Sequence, residues 1–132
     1  MGFTIIPASW APMMHALLRV MTGLTFLSHG SGKLLSFPAL PGLDQLPYPM
    51  LIFTGVLELV GGVLIIIGLF TRPVAFVLAG FTAVAFFMVH VGVVGKGNIV
   101  PAANFGEAAY LYTFVFLYLA AAGAGKWSVD KA

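Results

Sequence analysis

The 132-residue sequence contains no cysteine. Its absence excludes disulfides, thiolate metal sites and iron–sulfur clusters from any chemistry the chain performs alone. Charge is almost as scarce. Charged residues make up 8% of the chain, where a soluble globular domain carries about 25%. A soluble fold of this size cannot cover its surface with so few charges. The basic residues are dispersed, with a formal net charge of +2, so the electrostatic footprint of a nucleic-acid binder is missing. The opening "MGFTIIPASW" has no basic stretch and no small-residue cleavage motif, so the first apolar run is expected to be retained.

What is abundant is apolar. Hydrophobic residues make up 61% of the chain, and they fall into runs. A membrane-spanning helix needs about 20 mostly apolar residues. Four such runs are present: Pro12–Leu35, Met50–Phe70, Pro73–Val94 and Gly106–Gly125. The stretches "FPALPGLDQLPYP", "TRP" and "GKGNIVPAAN" separate them. The sequence therefore predicts an all-α membrane protein, a four-transmembrane-helix bundle forming one domain over residues 1–132. Helix contacts are expected through small residues, as in "TGVLELVGG" and "YLAAAGAGK". An even number of spans puts both termini on one side. That side holds Arg72, Lys126 and Lys131, with Arg19 and His15 nearby, against Lys33 and Lys96 on the other, so both termini are predicted to be cytoplasmic.

Polar residues inside such runs are the candidate functional groups, because a charge at the bilayer centre costs at least about 2.5 kcal/mol on insertion scales. Depth reckoned at about 1.5 Å per residue sorts them into two layers. Arg19 and Glu58 form a deep pair. His29, Lys33, His90 and Glu107 gather near the outer boundary. At 100° per residue, Arg19, Thr22, Phe26, His29 and Lys33 share one stripe. Glu58 shares its face with Thr54, Gly55, Gly61 and Gly62, and His90 lines up with Ala79, Ala83 and Phe86. Glu107 lines up with Tyr110, Phe114, Tyr118 and Gly125. All four stripes are expected to face inward. The broken apolar loop "FPALPGLDQLPYP" is expected to lie on the outer interface and cover the His29–His90 layer.

Each of these residues also has a plainer reading. Arg19 and Glu58 serve as a structural ion pair, Lys33 snorkels to the headgroups, and Glu107 favours a helix N-terminus. The histidines bond neighbouring carbonyls, and the Phe and Tyr stripe is packing. Trp10 and Trp127 suit an interfacial belt.

The pieces "LLRVMTGLTFLSHGSGKLL", "GVLELVGGVLIIIGLFTRPVAF", "FFMVHV" and "GEAAYLYTFVFLYLAAAGAGKWSVD" resemble, in order, the DoxX family of small four-helix bacterial membrane proteins. The most specific features are an Arg followed by HG-x-x-K in the first helix, and E-x-x-GG then GL-x-TR through the second. The family pattern falls on Arg19, His29, Gly30, Lys33, Glu58, Gly61, Gly62, Gly68, Arg72, His90, Glu107, Gly123, Gly125 and Asp130. One departure is Lys126, where many relatives carry Arg. The resemblance implies a multi-pass protein of the bacterial plasma membrane associated with redox chemistry. Some relatives look like the membrane subunit of thiosulfate:quinone oxidoreductase.

Four functions compete. In the first, the chain is a quinone-binding subunit of an oxidoreductase. His29, His90, Glu58 and Glu107 are then the catalytic candidates for proton handling, since imidazoles and carboxyls exchange protons near neutrality. Arg19, His29, Lys33, His90, Tyr110 and Phe114 are the candidates for binding the cofactor, with Phe86 also stacking on the ring. No metal site is expected. In the second, the chain is a non-catalytic anchor or assembly partner for a soluble oxidoreductase. In the third, it is a small transporter, which a bundle this narrow can be only as a homo-oligomer. In the fourth, His29 and His90 hold a haem.

Overall fold

A proline in the first turn, where its missing N–H would have no intrahelical partner anyway, opens both of the first two long helices. They are α1 (Ala11–Leu35, with Pro12) and α2 (Tyr48–Ile67, with Pro49). Helix α3 (Thr71–Ala85) runs on as a π-helix over Phe86–Val94, and α4 covers Glu107–Ala122. These elements come from a computed structural model that describes residues 2–131. Among the described residues there is no strand. The protein is an all-α membrane protein. The 20 residues Tyr48–Ile67 and the 24 residues Thr71–Val94 are long and apolar enough to cross a bilayer.

The helix bounds lie close to those expected from sequence, and the differences have local causes. Helix α2 stops at Ile67, short of Phe70, because Gly68 adopts the left-handed conformation (φ +69°). Gly68 N–H then donates to Ile65 O and Leu69 N–H to Leu64 O, the two bonds of a Schellman end. Helix α4 stops at Ala122 rather than Gly125, because Gly123 (φ +83°) turns the chain out of the helix.

The chain divides into two compact units. The first consists of the chain through Phe70 together with the tail from Ala124 onward. It is the hairpin of α1 and α2, held by very close backbone approach. A Cβ added at Gly62 would lie 2.9 Å from Leu27 Cα, and one at Gly30 would collide with Leu59 N. Small residues permit this closeness, and in lipid dispersion contacts at such interfaces do most of the work of association. The loop after α1 folds back on it, with Leu40 seated against Gly32.

The second unit is Thr71–Gly123, the hairpin of α3 and α4. Ala75, Leu78, Ala79, Thr82 and Phe86 are buried on one side of α3 and its continuation, and Phe116 and Leu119 on α4. The Thr82 and Thr113 hydroxyls meet at 3.0 Å between the two helices. Each also bonds a carbonyl of the preceding turn, so neither leaves a polar group bare.

Candidate polar sites in the two hairpins

Arg19 is completely buried, and its partner is not Glu58. All five guanidinium N–H groups go to main-chain carbonyls. Nε donates to Ile65 O (3.0 Å) and Nη2 to Ile66 O (3.4 Å) and Trp127 O (2.6 Å), while Nη1 donates to Lys126 O (2.9 Å) and Ala124 O. Ile65 and Ile66 lie in the last turn of α2, where the i+4 donors are missing and the helix dipole is negative; Ile65 O also accepts from Gly68 N–H. The other three carbonyls belong to the returning tail. That tail also pairs along the turn after α2, with Val129 N–H donating to Ile67 O and Asp130 N–H to Gly68 O. Asp130 Oδ1 accepts from Phe70 N–H at 2.8 Å. The expected Arg19–Glu58 pair is thus replaced by a clamp holding the tail on the end of α2.

Glu58 pairs with Lys33 instead. Lys33 Nζ lies 2.6 Å from Glu58 Oε1 and 3.1 Å from Thr54 Oγ1. Both charged side chains are largely buried, at 13% and 9% exposure. Thr54 donates its own proton to Met50 O, so it accepts from the ammonium. Glu58 Oε1 is in ion-pair contact but accepts no aligned hydrogen bond.

Side-chain direction accounts for both partnerships. Helical Cα–Cβ bonds tilt toward the helix N-terminus. In an antiparallel pair, Arg19 therefore reaches back toward the end of α2, and Glu58 reaches the opposite way, toward the last turn of α1. Lys33, pointing back from that last turn, enters the span rather than leaving it for the headgroups. His29 stands one turn before Lys33, half-buried and within range of its charge.

In the second hairpin His90 sits inside the π-helix, a form often found at functional sites. The wider π turn ends the 100° phase after Phe86, so His90 is placed by that turn and by the following loop. Its Nδ1 lies 3.3 Å from Asn104 O. Asn104 is fully buried, donates from Nδ2 to Asn98 O and accepts at Oδ1 from Gly106 N–H. Asn104 did not stand out in the sequence. Its only trace there is a second asparagine in a loop full of Gly, Pro and Asn.

Glu107 opens α4 and is exposed. Tyr110, Phe114 and Tyr118 are exposed too, so that stripe is not the buried face of α4 in its hairpin; Phe116 and Leu119 are buried. The Thr82–Thr113 contact and the burial of Phe116 select the opposite face of α4 for packing. The stripe is nevertheless an ordered edge-to-face series: Phe86–Tyr110 at 5.5 Å and Tyr110–Phe114 at 5.2 Å between ring centroids.

Comparison with known proteins gives a consistent result. The model of the DoxX family matches residues 14–91, more than half of the chain. That stretch includes Arg19, His29, Lys33, Glu58 and His90. An uncharacterised protein of Haemophilus influenzae is 44% identical over 125 residues, 92% of either chain. Inner membrane protein YqjF of Escherichia coli is 28% identical over 124 residues, 86% of either chain. No solved structure matches.

Proposed function

The chain belongs to the DoxX family, and on that premise we propose that it is a membrane-embedded subunit or accessory of a redox system that binds a quinone at polar groups within its helices. The buried Lys33–Glu58 pair carries this reading. An ammonium has three N–H donors; one goes to Thr54, and Glu58 stands beside it in ion-pair contact. A remaining donor is available to a carbonyl oxygen in a setting where lipid offers no partner. Glu58 Oε1, with no aligned hydrogen bond, is the acceptor beside it. A quinone is lipophilic and presents carbonyls when oxidised and hydroxyls when reduced. An adjoining donor and acceptor inside a span fit both states. A bound quinone supplies the electron-carrying chemistry. The chain's own residues hold it through Lys33, orient it, and exchange protons at Glu58, with His29 as a further proton-handling group. With no cysteine in the chain, electrons come from a partner polypeptide or a second cofactor.

The location proposed is the bacterial plasma membrane with both termini cytoplasmic. The E. coli relative's name and the distribution of Lys and Arg support it. The test is mass spectrometry of organic extracts from protein purified in native lipid. A stoichiometric quinone supports the proposal. Extracts without quinone, together with no binding of added short-chain quinone, overturn it.

A second reading, a non-catalytic anchor for a soluble oxidoreductase, is favoured by one observation. Arg19 gives every donor to main-chain carbonyls and so builds structure rather than chemistry. Co-purification of a soluble oxidoreductase whose activity survives His29→Ala would favour that reading.

A further inference from the structure

We propose that the loop joining the π-helix to α4 fixes His90 as an acceptor-only imidazole, and that the ligand it takes is the hydroxyl-bearing, reduced form of an aromatic ring. The ligand class rests on the quinone reading above; the state of the imidazole does not.

The chemistry begins with the partner of Nδ1. Asn104 O is a carbonyl and can only accept, so at 3.3 Å Nδ1 carries the proton. A neutral imidazole with its proton on Nδ1 has a bare lone pair on Nε2. Among the described residues nothing else bonds the ring. In its neutral form His90 therefore presents an acceptor and no donor.

The surroundings make this a built arrangement. The Asn104 carbonyl is held by a side chain tied at both ends, to Asn98 O at 2.9 Å and Gly106 N at 2.8 Å. Asn104 N–H donates to Val100 O as well. Gly95 N–H donates to His90 O at 2.7 Å, which pins the main chain that carries the ring. Gly106 lies so close that an added Cβ would stand 2.8 Å from both His90 Cβ and Phe86 Cδ2. Ring position, main chain and proton are thus set by one loop.

An acceptor selects its ligand. A quinone carbonyl has no proton to give Nε2, and the two lone pairs would repel. A hydroquinone hydroxyl donates to it directly. The same hairpin supplies the aromatic neighbours: Phe86 lies one turn before His90 and continues through Tyr110 to Phe114. Offset and edge-on aromatic contact suits a planar ring.

The test uses the full chain in lipid nanodiscs, labelled with nitrogen-15 at histidine, with His90→Asn assigning the signals. Spectra are taken alone, with a short-chain ubiquinone, and with the corresponding ubiquinol. The proposal expects His90 protonated at Nδ1 and bare at Nε2. It also expects a shift of His90 Nε2 with ubiquinol, half-saturated at a roughly tenfold lower concentration than any shift of the same signal with ubiquinone, the effect of one hydrogen bond made against one unmet. A proton on Nε2 of the neutral ring overturns the proposal whether or not quinones bind. Equal response of the His90 Nε2 signal to the two forms, with the tautomer as stated, overturns the ligand assignment. Binding of neither form overturns the quinone reading and the ligand assigned here with it.

Discussion

Arg19 and Glu58 turn away from each other along the same hairpin. Arg19 closes on the carbonyls of Ile65, Ile66, Ala124, Lys126 and Trp127, while Glu58 meets Lys33 at the other end. This divides the buried charge into two kinds. Arg19 satisfies main-chain groups that lipid would leave bare. Lys33 and Glu58 satisfy each other only in part, so they retain capacity for a ligand.

The clamp predicts what loss of Arg19 does. Arg19→Gln leaves several buried carbonyls without donors, at about 1–3 kcal/mol for each one unmet. Arg19→Lys retains the charge but not the five-donor fork. Limited proteolysis at Lys126 should be slow in the wild type, faster in Arg19→Lys and fastest in Arg19→Gln. Thermal stability in detergent should follow the same order.

The Lys33–Glu58 pair predicts strong non-additivity. Removing one member of a buried pair costs roughly 3–5 kcal/mol because a charge is left alone. Lys33→Met and Glu58→Gln should each destabilise the protein in SDS titrations. The double variant should be more stable than either single one. Additive single effects would show that the pair is not buried in the bilayer.

Close packing of α1 on α2 predicts a contrast between glycines. Gly30→Ala drives a methyl into the Leu59 main chain, and Gly62→Ala into that of Leu27. Overpacking of this kind costs typically about 1–3 kcal/mol. At Gly80 nothing stands within 4 Å of an added Cβ, and Gly80→Ala should be stabilising by roughly 0.5–1 kcal/mol from helix propensity. Unfolding of the three variants in one detergent checks the ranking.

The helices were largely legible in the sequence. Apolar runs of spanning length, bounded by Pro and Gly, set α1 to within one residue and the others to within a few. The polar partnerships were not, because Cα depth alone put Arg19 and Glu58 within reach. The tilt of side chains toward each helix N-terminus reverses that result, and it is a rule a sequence reading can apply. The tail's return depends on left-handed backbone at Gly123, Gly125 and Trp127 and on carbonyls, which no side-chain pattern marks. The π-helix is equally silent: "FFMVHVGVV" carries no periodicity distinguishing it from an α-helical run. The aromatic stripe of α4 is legible as a stripe, but it is exposed rather than packed within its hairpin, and an exposed apolar face and a packed one carry the same residue types.

The loop beyond the π-helix predicts that Asn104 positions His90. In Asn104→Ala the main-chain carbonyl survives but its ties to Asn98 and Gly106 do not. The histidine nitrogen-15 spectrum should then show both tautomers of His90 where the wild type shows one. The mean stability should fall by about 1–3 kcal/mol for the unmet buried groups.

The measurement closest to the central claim is quinone affinity at the Lys33–Glu58 pair. Wild type, Lys33→Met and the control Gly80→Ala are titrated with short-chain ubiquinone in nanodiscs, read by isothermal calorimetry, with the folded fraction matched. The account predicts that Lys33→Met binds about tenfold more weakly, the loss of one charge-assisted hydrogen bond, and that the control matches wild type. Equal affinity of Lys33→Met and wild type would contradict it.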